Sequence, residues 1–335
     1  MQIDLRTVTI EPRRKAFDHL IERFGDKPAS RYQEGSYDIQ AQENLHYRPT
    51  WDPDHELYDP TLSRIRMADW YVLKDPRQFY YSSYTLTRAR QQDAAEMNFG
   101  FAESHGLLEQ LDQPLRDAIQ DVLVPLRHAA WGGANQNNTF VCGYGYGAIF
   151  TQPCMYHAMD NLAIAQYLTR LGLLLDGTDA LARAKRAWTE APSFQTLRRL
   201  IEDLMCVRDP FELFVAQNLV LDGLLYPVVY GQLVDEVWSR RGGASSVALL
   251  TQFQSQWFAE TSKWIDSVIK TAAAESPENK QVLQEWVAHW TPRAAAAVAD
   301  LVRPALGEDT DAALDRAREQ LGVRLGKTGL AAKEH

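Results

Sequence analysis

The sequence predicts an all-α protein, a bundle of long helices. Three observations carry that reading. Nothing alternates strand and helix, and apolar runs of period two are rare. Apolar residues recur instead at helical spacing, most cleanly over 245–271, where Leu250, Phe253, Trp257, Thr261, Trp264 and Val268 stand three or four apart. Helix-start signals recur at Asp75-Pro76, Asp112-Gln113-Pro114 and Asp209-Pro210, with Asp suited to a cap and Pro to the first turn. Long helices with short turns imply a bundle of the four-helix kind with added helices. There is no internal repeat of roughly 20–50 residues.

Residues 1–60 read as an extended arm. Pro12, Pro28, Pro49, Pro53 and Pro60 punctuate them, and helical periodicity is poor. Tyr32, Tyr37, Tyr47, Trp51 and Tyr58 recur along a stretch that cannot bury them against itself. They must lie on the chain's own helices or on a partner, and Tyr and Trp are frequent interface anchors. A helical domain over 61–325 follows, then a frayed tail, 326–335. Within the domain, short helices are expected over 61–72, 179–190 and 193–207. Longer ones are expected over 76–110, 114–131, 135–175, 210–240, 245–271, 277–302 and 310–325. Gly132-Gly133 should break or bend the chain, and the 135–175 segment should kink near 143–147 or at Pro153. Asp176-Gly177-Thr178 should end it. The stretch MYHAMDNLAIAQYLTRLG (155–172) reads as a buried central helix, with Met155, Met159, Leu162, Tyr167, Leu168 and Leu171 apolar. The 210–240 segment is apolar on more than one face, which marks a helix buried on several sides.

Composition narrows the function. The chain has 335 residues, 45% hydrophobic and 24% charged, which suits a globular protein with a large core. Its net charge of −9 and lack of a basic block argue against nucleic acid. No run of about 18 apolar residues suggests a membrane span. Three cysteines, Cys142, Cys154 and Cys206, cannot form a closed disulfide set, and a reduced, cytoplasmic setting is expected.

Chemistry on a helical bundle would need a defined kit. A carboxylate-bridged metal pair takes one Glu from each of two helices and Glu-x-x-His from each of two more. The one Glu-x-x-His here, Glu43-Asn44-Leu45-His46, lies in the arm, outside any long helix, and reads as chance. Gly143-Tyr144-Gly145-Tyr146-Gly147 follows no strand and precedes no Gly-Lys-Ser/Thr, so close packing or a kink is the better reading than a phosphate cradle. Cys154-x-x-His157 lacks a second ligand pair, and His157 and His128 read as core or interface histidines. Asp203, Asp209, Asp222 and Asp235 form no magnesium-binding cluster, and there is no Gly-x-Ser-x-Gly.

A resemblance adds to this. Met159-Asp160-Asn161-Leu162-Ala163-Ile164 is similar to the Asp-Glu-x-x-His phrase of di-iron helices, with Asn161 in the Glu place and Ile164 in the His place. Beyond it, TWDPDHELYDP (50–60), DPRQFYYSSYTLTRARQQ (75–92), YHAMDNLAIAQYLTRLG (156–172), DPFELFVAQNLVLDGLLYP (209–227) and FQSQWFAETSKWID (253–266) resemble the hydroxylase β subunit of bacterial multicomponent monooxygenases. Phenol, toluene and methane monooxygenases make up that family, and phenol hydroxylase is nearest. The resemblance implies a ferritin-like bundle with additional helices and an N-terminal arm. It implies a partner α subunit that keeps the di-iron ligands while this chain has lost them. The second Glu-x-x-His then falls on Trp257 and Glu260, and a lone Glu ligand near Glu212 or Leu213. It further implies an (αβγ)2 assembly, a regulatory protein, and a separate reductase carrying FAD and an iron–sulfur cluster that passes electrons from NADH. The reaction implied is aromatic hydroxylation by O2 in the partner, with this chain inactive alone. Two rival readings remain at this point. One is a stand-alone helical oxygenase or hydrolase using Glu43, His46, His157 or Glu260. The other is an unrelated helical scaffold.

Overall fold

Helices are the only regular secondary structure among the described residues, which in this computed structural model are 17–39, 48, 50, 52–241 and 244–330. Two short helices, α1 (Asp18–Phe24) and α2 (Arg31–Ser36), come first. α3 (Tyr81–Ser104) follows two 3₁₀ turns. Then come α4 (113–144), α5 (Ala148–Glu190), α6 (Pro192–Leu204) and α7 (Pro210–Arg240). The last four are α8 (Ser245–Leu250), α9 (Gln252–Glu275), α10 (Pro277–Leu306) and α11 (Thr310–Thr328).

Four of these enclose the core. α4 packs against α5 and α7, and α9 packs against the same two, so α5 and α7 stand at opposite corners of a ring. α10 covers α6, α7 and α9, and α11 closes over α7, α9 and α10. α7 is the core helix. It is the one helix among the described residues long and apolar enough to cross a membrane, yet 94% of its most apolar window is buried in the bundle. Both α4 and α7 contain π-helical stretches, Ile119–Leu123 and Ala129–Asn135 in the first and Val215–Leu221 and Pro227–Val237 in the second. A wider turn shifts the direction in which later side chains leave the helix. Where the two helices meet, Asn138 and Asn218 exchange reciprocal amide hydrogen bonds of 3.0 and 2.8 Å, which fixes their register.

Several expected boundaries move, each for a local reason. Residues 61–72 form only two 3₁₀ turns, Pro60–Leu62 and Trp70–Val72, capped by Asp59 and Asp69. Backbone groups between them bond other elements instead: Arg64 N–H donates to Asp209 and Arg66 N–H to Asn279. Asp75 does not cap a helix. It is fully buried, grips Arg77 at 2.9 Å, and its backbone meets the Tyr32 hydroxyl. Helix α3 therefore waits until Tyr81, where Ser83 accepts from Tyr80 N–H at 3.1 Å. α4 continues through Gly132-Gly133 in a π-helical stretch, and the chain breaks at Gly147, at φ +85°, inside the 143–147 kink that was expected. A side chain there would crowd Trp70, so the chain turns on glycine. Pro153 sits inside α5 without ending it, whereas Asp176 and Gly177 interrupt the helix as expected.

Residues 17–39 of the first segment are also more helical and more closely packed than a free arm. Leu20, Tyr32 and Tyr37 are buried with Tyr71, Ala148 and Ile149. Tyr32 and Tyr37 thus anchor onto the chain's own body, and Tyr58 is half-buried. Tyr47 and Trp51 lie outside the described residues. Of the apolar positions expected inside the central helix, Met159 and Leu162 face outward, 44% and 36% exposed.

At Gly172, α5 lies close against α4, since a Cβ there would stand 2.9 Å from Val124. Gly172→Ala should lower stability by about 1–2 kcal/mol, overpacking outweighing the gain in helix propensity. Thermal unfolding would show it, and a raised midpoint would contradict the close approach.

Candidate functional site

The chain's densest polar chemistry gathers where α3, α5 and α9 meet. Tyr84 and Arg88 stand four apart on α3 and so share a face. Trp257 and Glu260 stand three apart on α9 and do the same. Asp160 on α5 lies between them, 2% exposed. Its Oδ1 accepts from the Tyr84 hydroxyl at 2.9 Å and Arg88 Nε at 2.8 Å. Its Oδ2 accepts from Arg88 Nη2 at 2.8 Å and the Trp257 indole at 2.8 Å. Arg88 also reaches both oxygens of Glu260 at 3.1 Å, and Arg77 joins Glu260 at 3.3 Å from its grip on Asp75. Phe79 lies against both guanidinium groups, 4.6 Å from Arg77 and 5.4 Å from Arg88.

Two guanidinium groups thus face three carboxylates in a largely enclosed space. Burial disfavours charge on Arg88, but Asp160 and Glu260 outweigh it and hold its pKa above the ordinary arginine value. Burial, with Asp160 alongside, pushes the Tyr84 hydroxyl up, so it stays a donor. Asp160 accepts four hydrogen bonds, and a carboxylate has about four lone-pair positions. It has nothing left to offer a metal.

The bundle centre adjoins this cluster through Trp257. Trp257 is fully buried there, its rings 4.6 Å from His157 and 5.1 Å from Tyr226. Asn161 turns its amide back to the His157 carbonyl at 2.9 Å, and Ile164 is 1% exposed. His157 on α5 approaches Asp222 on α7, Nε2 to Oδ2, at 3.6 Å. Gln217 bonds Asp222 Oδ1 and Asn137, each at 2.9 Å. Burial pushes the Asp222 carboxyl above the usual carboxylate range.

These residues do not fit a di-iron group. Among the described residues, no three or more His, Cys, Asp or Glu side chains converge as metal ligands. Ile164 and Trp257 offer no donor to a metal, and Asp160 is saturated. Glu260 leaves the core for the rim, 25% exposed and held by two arginines. Glu212 turns to α10, where it accepts from the Trp290 indole at 3.0 Å, and burial raises its carboxyl. Glu43 and His46 fall outside the described residues. His128 stacks on Trp188 and burial pushes it down to about 4, so it is neutral near pH 7. Trp131 is 48% exposed.

Sequence reasoning missed Asp160, Arg88, Arg77 and Tyr84 as a unit. α3 buries only Tyr84, Phe99 and Ala102, so its arginines read as a solvated face. Their carboxylate partners are 72 and 172 residues away from Arg88. The one local signal was an aspartate inside an otherwise apolar helix.

Comparison with known proteins places this geometry. The sequence model described as methane/phenol/alkene hydroxylase matches residues 51–276. The chain is 49% identical to the phenol 2-monooxygenase oxygenase component DmpL of Pseudomonas sp. strain CF600, covering 100% of both. It is 44% identical to the component MhpL of Acinetobacter pittii strain PHEA-2, over 98% of each. Its structure superposes on a chain of phenol hydroxylase from Pseudomonas sp. OX1 with a TM-score of 0.90 and 42% identity, covering 98% of each.

Arg88→Met should cost about 3–5 kcal/mol, the usual penalty for stripping one partner from a buried pair. Adding Asp160→Asn should recover part of it. Chemical denaturation of the two variants checks this, and a loss below about 1 kcal/mol for Arg88→Met would mean the pair is solvated. The double change Asn161→Glu with Ile164→His should create no iron site and should destabilise by roughly 2–5 kcal/mol, because it buries polar groups without partners. Unchanged unfolding would contradict that.

Proposed function

The chain belongs to the methane/phenol/alkene hydroxylase family, and on that footing we propose that it is the non-catalytic β subunit of a multicomponent phenol monooxygenase. The observation that carries the subunit role is the filled bundle centre: Trp257 and Ile164 occupy it as packing residues, and the nearest carboxylate on α5 is consumed by Arg88, Tyr84 and Trp257. The phenol reading rests on identity along the whole chain to two phenol 2-monooxygenase oxygenase components.

A di-iron centre in a partner α subunit supplies the activation of O2 for hydroxylation of the aromatic ring. Electrons come from NADH through a reductase with FAD and an iron–sulfur cluster. What this chain contributes is a rigid body. Its helices are tied together by guanidinium groups that balance the carboxylates of Asp75, Asp160 and Glu260. The assembly proposed is (αβγ)2, joined by a regulatory protein, in the cytoplasm. Residues 1–60 serve as the arm for subunit contacts, 61–325 as the body and 326–335 as the tail, although α11 carries the body's helix on to Thr328. Within the arm, Tyr47, Trp51 and Tyr58 remain the contact candidates, since Tyr32 and Tyr37 pack on the chain itself.

Co-expression with a helical chain carrying two Asp-Glu-x-x-His motifs tests the reading. The expected result is a stable complex that hydroxylates phenol with its reductase, while this chain alone is inactive. Hydroxylation by this chain with the reductase alone would overturn it. Deleting residues 1–60 should weaken co-purification with the partner more than it lowers the unfolding midpoint of the body, and undiminished co-purification would contradict the arm's role.

A further inference from the structure

Between α4, α5, α6 and α7 lies a cavity of about 20 Å³. Its α4 and α6 walls are apolar, built from residues such as Leu126, Ala130, Leu197 and Ile201. Its α5 and α7 walls are different and carry Asn161, Gln217, Asp222, Tyr226 and Tyr230. All five are buried.

Asp222 is the member that needs explaining. Gln217 satisfies Oδ1 at 2.9 Å. Oδ2 is buried and accepts no hydrogen bond from any group among the described residues. Its nearest cationic candidate, His157 Nε2, is 3.6 Å away, beyond hydrogen-bond reach. Both His157 nitrogens share that condition. A buried carboxylate oxygen left bare is costly, so a polar group must meet it.

The cavity's size and lining select the occupant. One water needs about 10–15 Å³ of such space and two to four polar partners. Both conditions are met here. An apolar occupant would leave Asp222 bare. A catalytic or structural transition metal takes about three or four protein donors, and no such cluster exists among the described residues. We propose that the cavity is a hydration site for a single ordered water, which donates to Asp222 Oδ2 and completes its bonds with Asn161 and the Tyr226 and Tyr230 hydroxyls. Burial keeps both hydroxyls protonated, their pKa values raised above the ordinary tyrosine range, so either can donate to the water's oxygen. The site goes beyond the subunit role and does not depend on it. It lies beside Asn161 and Ile164, where water then meets the polarity left at the bundle centre.

A crystal structure of the full-length chain at a resolution that shows waters decides the matter, with Asp222→Asn and Asp222→Leu alongside. The expected result is one water peak within hydrogen-bond distance of Asp222 Oδ2 in the wild type. It should persist in Asp222→Asn and vanish in Asp222→Leu, whose side chain removes the partner. An empty wild-type cavity overturns the proposal, as does a peak with the anomalous signal of a transition metal. So does a direct His157–Asp222 hydrogen bond beside a dry cavity. If Asp222→Leu does not fold, the wild type and Asp222→Asn still decide.

Discussion

The carboxylate of Asp160 is the point on which three helices depend. Arg88 and Tyr84 bring α3 to it, Trp257 brings α9, and Asp160 itself comes from α5. α3 buries few side chains, so without this cluster little would hold its first half against the bundle. A buried ion pair is weak evidence for net stability, because desolvation offsets much of the attraction. Its value is geometric: four directed hydrogen bonds admit one register between α3, α5 and α9. Glu260 and Arg77 extend the same constraint to Asp75 and, through the Tyr32 hydroxyl, to α2.

That arrangement also sets the charge balance around α5. Inward carboxylates repel unless a positive charge lies among them. For Asp75, Asp160 and Glu260 that charge is arginine, a permanent cation whose planar fork suits paired carboxylate oxygens. On the core side of the same helices the space is filled by Trp257, His157, Trp264 and Tyr226, packed ring against ring. The two solutions meet at Trp257, whose indole bonds Asp160 while its rings pack on His157.

Much of the fold was legible in the sequence, because helix periodicity and start signals are local. The stripe on α9, the cap at Asp209 and the break at Asp176-Gly177 all appear in the structure. The shifts at residues 61–81 arose where backbone groups bond distant elements, which no local pattern reports. The π-helical stretches in α4 and α7 were equally hidden, since one extra residue per turn barely disturbs an apolar run. At the candidate site, Asn161, Ile164 and Trp257 were named from resemblance, and the structure places all three as buried side chains. Glu260 was named too, but its arginine partners on α3 and before it were not. Charge pairing across 172 residues leaves no trace in spacing. The Asp222–His157 approach across the ring was invisible for the same reason.

The central claim is that this chain's bundle is held by packing and by arginine, with no metal of its own. Metal analysis of the chain purified apart from its partner, after growth in iron-rich medium, tests that most directly. The account predicts no stoichiometric iron and a folded, helical protein whose unfolding is unchanged by a strong chelator. One or two tightly bound irons per chain, or unfolding on chelation, would contradict it.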